Sequence, residues 1–249
     1  MRETQDPRIG LLQRIIHHLS RIRLMGYLGK ILAIVWKDIV AELRTKEMFS
    51  AMFVFAVLVI VVFNFAFDLR VSGDEVRSVA PGALWVAFAF AGVLGLNRAF
   101  VLEKDRGCLE GLLLAPVDHT AIYFGKMIST LLFMLVVEVI VLPVFTAFFG
   151  VNLFDLRLVL IVVLGTLGFA GVGTILSAMT AQTRAREVLL PILLLPVAAP
   201  VLIAAVKATA GVLDGLTMGE IARWLQLLIA FDIIFPAAAF MTFDYVVKE

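Results

Sequence analysis

The sequence predicts an all-α polytopic membrane protein, with an amphipathic N-terminal helix in the interface followed by six spanning helices. Three observations predict it. Hydrophobic residues make up 62% of the 249 and charged residues only 16%, well below the roughly 25% charged of a soluble domain. Apolar runs long enough to span recur along the chain, since about 20 helical residues at about 1.5 Å each cross a hydrocarbon core of about 30 Å. Lys and Arg, finally, gather on one side of those runs.

Residues 1–27 read as a basic extension. Arg8, Arg14, Arg21 and Arg23 interrupt the apolar positions, so the stretch lacks the unbroken apolar core and small-residue cleavage site of a signal peptide. It is expected to be retained and partly helical, with Met25 as an alternative start. In LGKILAIVWKDIVAELRTK, residues 28–46, Leu28, Ile31, Leu32, Val35, Trp36, Ile39, Val40 and Leu43 fall on one helical face. Lys30, Lys37, Asp38 and Arg44 are expected opposite them. This elbow helix is expected in the interface plane, with Trp36 at the headgroup boundary. The alternative is a soluble core helix, which the apolar runs that follow disfavour.

Those runs place spans near 48–67, 79–101, 121–149, 157–180, 188–209 and 224–245, all within a single domain of residues 28–249. The third is long enough to be tilted or broken. Six spans put both termini on one side, and with the N-terminus inside, Lys and Arg divide 16 inside to 5 outside. The positive-inside rule therefore puts both termini in the cytoplasm.

Several features inside the spans stand out. In GTLGFAGVG, Gly165, Gly168 and Gly171 recur every three residues, with Gly173 and Ser177 beyond. Small residues let helices approach closely in lipid, and two readings stand, a packing face and a substrate path or hinge. Pro191, Pro196 and Pro200 sit in one run. Each removes a backbone donor, so the helix is expected to kink or break unless neighbours satisfy the freed carbonyls, as a moving part or as a fixed bend. Glu138 and Asp232 are the deepest carboxylates. Such groups face the protein interior and pair, protonate or mark a path; with no cation at similar depth, a neutral, hydrogen-bonded carboxyl is the expectation. Arg98 and Lys126 are expected to snorkel at the inner boundary.

Other chemistries find no support in the chain. A net charge of +1 gives no global field to attract nucleic acid. Cys108 is the single cysteine and no CxxC occurs, so neither a disulfide within the chain nor a zinc or iron–sulfur motif is indicated. No GxxxxGK[ST] phosphate loop occurs, so the chain is not expected to bind and hydrolyse ATP itself. His17, His18 and His119 all fall outside the expected spans, so no imidazole is placed to ligate haem iron or another metal within the bilayer. No catalytic residue, metal ligand or bound cofactor is assigned, and the chain is not read as an enzyme.

The stretch APGALWVAFAFAGVLGLNRAFVLEKDRGCLEGLLLAP carries Ala80, Pro81, Gly82, Trp85, Leu96, Arg98, Phe100, Glu103, Gly107, Leu109, Glu110, Leu112 and Pro116. With Gly125, Lys126, the glycine-rich fourth span and LLPILLLPVAAP, this pattern resembles the CcmB family of ABC-type permeases over residues 28–245. The resemblance implies an ABC-2 (type II) exporter permease fold in the bacterial inner membrane, with a cytosolic coupling segment at 103–119. It implies as partners a cytosolic CcmA-like ATPase, a second copy of this chain, a CcmC-like haem-handling membrane protein and a small single-span CcmD-like protein. It also implies delivery of haem to a periplasmic haem chaperone in c-type cytochrome biogenesis. Alternatives of the same fold are an exporter of lipid or polysaccharide, or a membrane scaffold that transports nothing.

Physically, Leu109, Leu112, Leu113 and Leu114, bracketed by Glu110 and Pro116, form an apolar patch suited to a groove on a soluble partner. Glu103, Lys104, Asp105 and Arg106 would edge it with charge; the competing reading folds these leucines onto the inner leaflet. The expected coupling residues are thus Phe100, Glu103, Gly107, Leu109, Glu110, Leu112, Leu114 and Pro116. Because no histidine falls in a span, haem ligation is assigned to the wider complex. The chain purified alone is predicted to show no stoichiometric haem absorbance, and a low-spin haem spectrum from it would contradict that assignment.

Overall fold

Seven helices carry almost all of the chain that the computed structural model describes, namely residues 26–67, 73–105, 118–151, 153, 155–181, 183 and 185–246. They are α1 (Tyr27–Thr45), α2 (Glu47–Ala66), α3 (Gly73–Asp105), α4 (His119–Phe149), α5 (Leu156–Thr180), α6 (Arg186–Leu213) and α7 (Met218–Val246). Among the described residues there is no strand. The helices α2 to α7 each contain a stretch long and apolar enough to cross a membrane. The basic extension lies outside the described residues apart from its last two positions.

The α1–α2 corner turns at Lys46, whose φ of 56° is left-handed. Its N–H closes α1 onto the Glu42 carbonyl at 2.7 Å, while the Glu42 side chain accepts from the Phe49 N–H at 2.8 Å. One residue thus satisfies a donor that the start of α2 would leave bare. Helix α1 turns Ile31, Ile34 and Val35 inward and leaves Leu28, Leu32, Trp36 and Leu43 exposed. Its apolar stripe therefore divides, one row packing on the protein and the other facing out.

Burial identifies the centre of the bundle. The membrane-crossing stretches of α3 and α5 are 72% and 67% buried within the protein, against 17% for α7. Helices α3 and α5 meet where Trp85 lies over Gly165 and Leu96 over Gly173, so closely that a methyl group on either glycine would collide with the neighbour. The Ser177 hydroxyl donates to the Leu96 carbonyl at 2.7 Å, and the Trp85 indole N–H donates to Thr209 of α6 at 3.0 Å. Gly95 of α3 admits Met52 of α2, and Gly92 admits Met134 and Phe169. Around this pair, Asn64 of α2 donates to the Phe148 carbonyl at 2.8 Å, tying α2 to the far end of α4.

Neither the long third span nor the proline-rich fifth is broken. Helix α4 continues through Pro143 for 31 residues, about 46 Å at about 1.5 Å per residue. Helix α6 is continuous through Pro191, Pro196 and Pro200. Pro196 and Pro200 face outward, while Leu190, Leu194, Ala198, Val201 and Ala205 pack inward. The packed face holds the helix together while the missing donors sit largely on the other side.

The glycine contacts predict a contrast. Gly165→Ala, which drives a methyl into Trp85, is expected to destabilise by about 1–3 kcal/mol, read as a lower thermal midpoint in detergent. Gly82→Ala, with nothing within 4 Å of its added methyl, is expected to leave the midpoint unchanged or raise it. Equal losses in both variants would contradict this packing account.

Candidate functional site

Where α1 turns into α2, α3 ends and α4 begins, four helices enclose a charged junction, here called the basal end. Lys126 of α4 is its centre. Its side chain is only 3% exposed, and Nζ lies 3.1 Å from the Asp38 carboxylate of α1. It also donates to the Ala99 carbonyl of α3 at 3.0 Å. Gly125, beside it, lets Ile34 of α1 pack against the α4 backbone.

This corrects two sequence expectations. Asp38 is turned inward rather than onto the outward polar face, and Lys126 is enclosed rather than snorkelling. The reason is mutual: a buried ammonium is tolerated only with a counter-charge and acceptors, and the face of α1 carrying Ile31, Ile34 and Val35 carries Asp38 one turn on. Arg98 keeps a boundary position, half-exposed and paired with Glu47 of α2 at 2.8 Å.

Between these pairs lies a cavity of about 260 Å³. Lys37, Asp38 and Glu42 of α1 and Arg98 of α3 give it charge, while Met48 of α2 and Phe133 of α4 supply apolar wall. Ser129 and Thr130 also line it, and Thr130 is 3% exposed.

Of the expected coupling residues, Phe100 and Glu103 fall in the closing turns of α3, which ends at Asp105. Gly107, Leu109, Glu110, Leu112, Leu114 and Pro116 lie outside the described residues. The chain between Asp105 and Asp118 nevertheless leaves and re-enters at this end, because it joins α3 to α4.

The intramembrane carboxylates differ from each other. Glu138 of α4 is 2% exposed and accepts from the Thr166 hydroxyl of α5, at 2.8 Å to one oxygen and 2.9 Å to the other. Both oxygens of Asp232 in α7 are buried without a hydrogen-bond partner among the described residues. Gly168 gives Asp232 its room, since a methyl there would stand 2.6 Å from Oδ1. The glycines of α5 serve two neighbours: Gly165 and Gly173 face α3, whereas Gly168 and Gly171 face α7, with Tyr123 donating to the Gly171 carbonyl at 3.0 Å. A spacing of three drifts around the helix, so the stripe is divided between interfaces.

At the opposite end, Arg157 grips Asp155 and donates to the Leu216 carbonyl at 2.7 Å, fastening the α6–α7 turn to the start of α5. Hydrogen bonds from the Arg157 side chain and backbone hold the Asp155 carboxyl below the usual carboxylate range.

Six helices apolar enough to cross a membrane, two of them forming a glycine-lined central pair, with ion pairs at the ends, define a multi-pass α-helical membrane protein. A family model described as CcmB protein matches residues 29–246, and the chain belongs to that family. Heme exporter protein B of Pseudomonas aeruginosa is 27% identical over 190 residues, 75% of this chain and 83% of that protein. Heme exporter protein B of Rhodobacter capsulatus is 30% identical over 149 residues, 59% of this chain and 68% of that protein.

The Lys126–Asp38 pair predicts non-additive substitutions. Lys126→Met leaves Asp38 only its half-exposed Lys37 partner at 3.3 Å, and Asp38→Leu takes the carboxylate from Lys126; each alone is expected to cost about 1–3 kcal/mol, less than a wholly stranded buried charge. The double variant is expected to recover much of that loss in a thermal-unfolding cycle; additive losses would contradict the buried pair.

Proposed function

We propose that this chain is the membrane permease subunit of an ATP-driven complex required to deliver haem to a periplasmic haem chaperone in c-type cytochrome biogenesis. The observation that carries the reading is membership of the CcmB family over residues 29–246, together with relatives named Heme exporter protein B. The chain acts as a transport subunit rather than a catalyst, with ATP bound by a cytosolic ATPase and haem handled by the wider complex. The complex pairs two copies of this chain with that ATPase, a haem-handling membrane protein and a small single-span protein. The Lys and Arg asymmetry of the sequence supports an inner-membrane orientation with both termini in the cytoplasm. In this orientation the basal end faces the ATPase, and α1 serves as the interfacial elbow of an ABC-2 permease.

Coupling is assigned to residues 103–119. The segment connects α3 directly to α4, so a force on it acts on the two helices that Lys126 ties to α1. The apolar leucines supply docking contact and the flanking charges orient it. Replacing Leu112 and Leu114 with glutamate is predicted to abolish copurification of the ATPase while the chain still inserts in the membrane. Retained copurification would overturn the docking assignment.

A further inference from the structure

The basal cavity has the chemistry of a binding site, and coupling does not require a ligand there. Among the described residues its charged lining is balanced: Lys37, Arg98 and Lys126 stand against Asp38, Glu42 and Glu47. A balanced lining disfavours a simple anion and suits a zwitterion. Unused hydrogen-bonding capacity of both signs is present. Arg98 donates to Glu47 through Nη1, and among the described residues its Nε and Nη2 have no acceptor. The Thr130 hydroxyl, on a residue only 3% exposed, has no hydrogen-bond partner among the described residues and lines the cavity. Glu42 uses Oε1 for the Phe49 N–H, and its other oxygen has no donor among the described residues.

The cavity lining is graded along α4. Following α4 from its basal start, the lining passes from Lys126 to Ser129 and Thr130 and then to Phe133. Charge thus gives way to apolar wall with depth, the order of groups in a phospholipid. The volume, about 260 Å³, falls just below the roughly 300–1,000 Å³ of drug-sized pockets and fits a headgroup rather than a whole lipid.

We propose that this cavity holds a resident glycerophospholipid with a primary-ammonium headgroup, its phosphate on Arg98 and Thr130, its ammonium on Glu42 and its first acyl carbons against Phe133. A guanidinium and a hydroxyl suit phosphate oxygens, and a carboxylate accepts from the N–H groups that a quaternary ammonium lacks. The lipid is a structural ligand, distinct from any transported cargo.

The test is native mass spectrometry on the full chain purified in detergent, then delipidation and titration with phosphatidylethanolamine, phosphatidylcholine and phosphatidylglycerol. One retained phosphatidylethanolamine per chain is expected, with Arg98→Gln and Thr130→Val each weakening its rebinding about tenfold. Thr130→Ser should restore binding, Arg157→Gln at the opposite end should not change it, and thermal midpoints close to the parent's show that the variants are folded. Preference for phosphatidylglycerol, rebinding indifferent to both cavity variants, or no retained lipid would overturn the proposal. Displacement by free phosphoethanolamine at equal concentration would overturn the lipid as its source.

Discussion

The bundle depends on the close approach of α3 and α5. Lipid gives two helices no hydrophobic reason to associate, so contact must come from packing and hydrogen bonds. Gly165 and Gly173 let Trp85 and Leu96 settle on the α5 backbone, and the Ser177 and Trp85 hydrogen bonds fix register and bring in α6. The same principle repeats outward: Gly95 receives Met52, Gly125 receives Ile34 and Gly168 receives Asp232. Glycines thus set which helices neighbour which, and the larger side chains fill what remains.

Charge follows a second rule, placement at the ends. Lys126 is buried yet satisfied, and in satisfying it the chain binds α1, α3 and α4 into one unit. Helices α3 and α4 are also the two joined by the segment assigned to coupling. A displacement there therefore meets a stiff, ion-paired junction rather than one loose helix. Farther in, Glu138 has a hydroxyl partner and Asp232 has none among the described residues, so the two carboxyls differ in chemistry despite similar placement in sequence.

The spans were legible because hydropathy over twenty residues is a strong signal. Helix α3 nevertheless extends to Gly73 and Asp105, past the expected 79–101, because residues outside the lipid core can continue a helix despite their charge. The junction was less legible. Asp38 and Lys126 are 88 residues apart, and helical periodicity placed Asp38 with the polar side chains because it assumes that only apolar residues face protein. The Glu138–Thr166 contact was equally hidden, since threonine is common in spans and carries no sign of its partner. Gly92 and Gly95 passed unremarked beside the denser glycine run of α5. In α6 the prolines signalled a kink or a break, and of the two a break does not occur, since the helix runs unbroken from Arg186 to Leu213.

We propose that this chain couples ATP hydrolysis on a separate subunit to haem delivery. This coupling is tested most directly by purifying the native assembly, identifying its subunits and measuring ATP hydrolysis with and without the periplasmic haem chaperone. The account predicts an ATPase in stoichiometric amount with this chain and a rate that changes when the chaperone is added. An assembly lacking the ATPase, or hydrolysis indifferent to the chaperone, would contradict it.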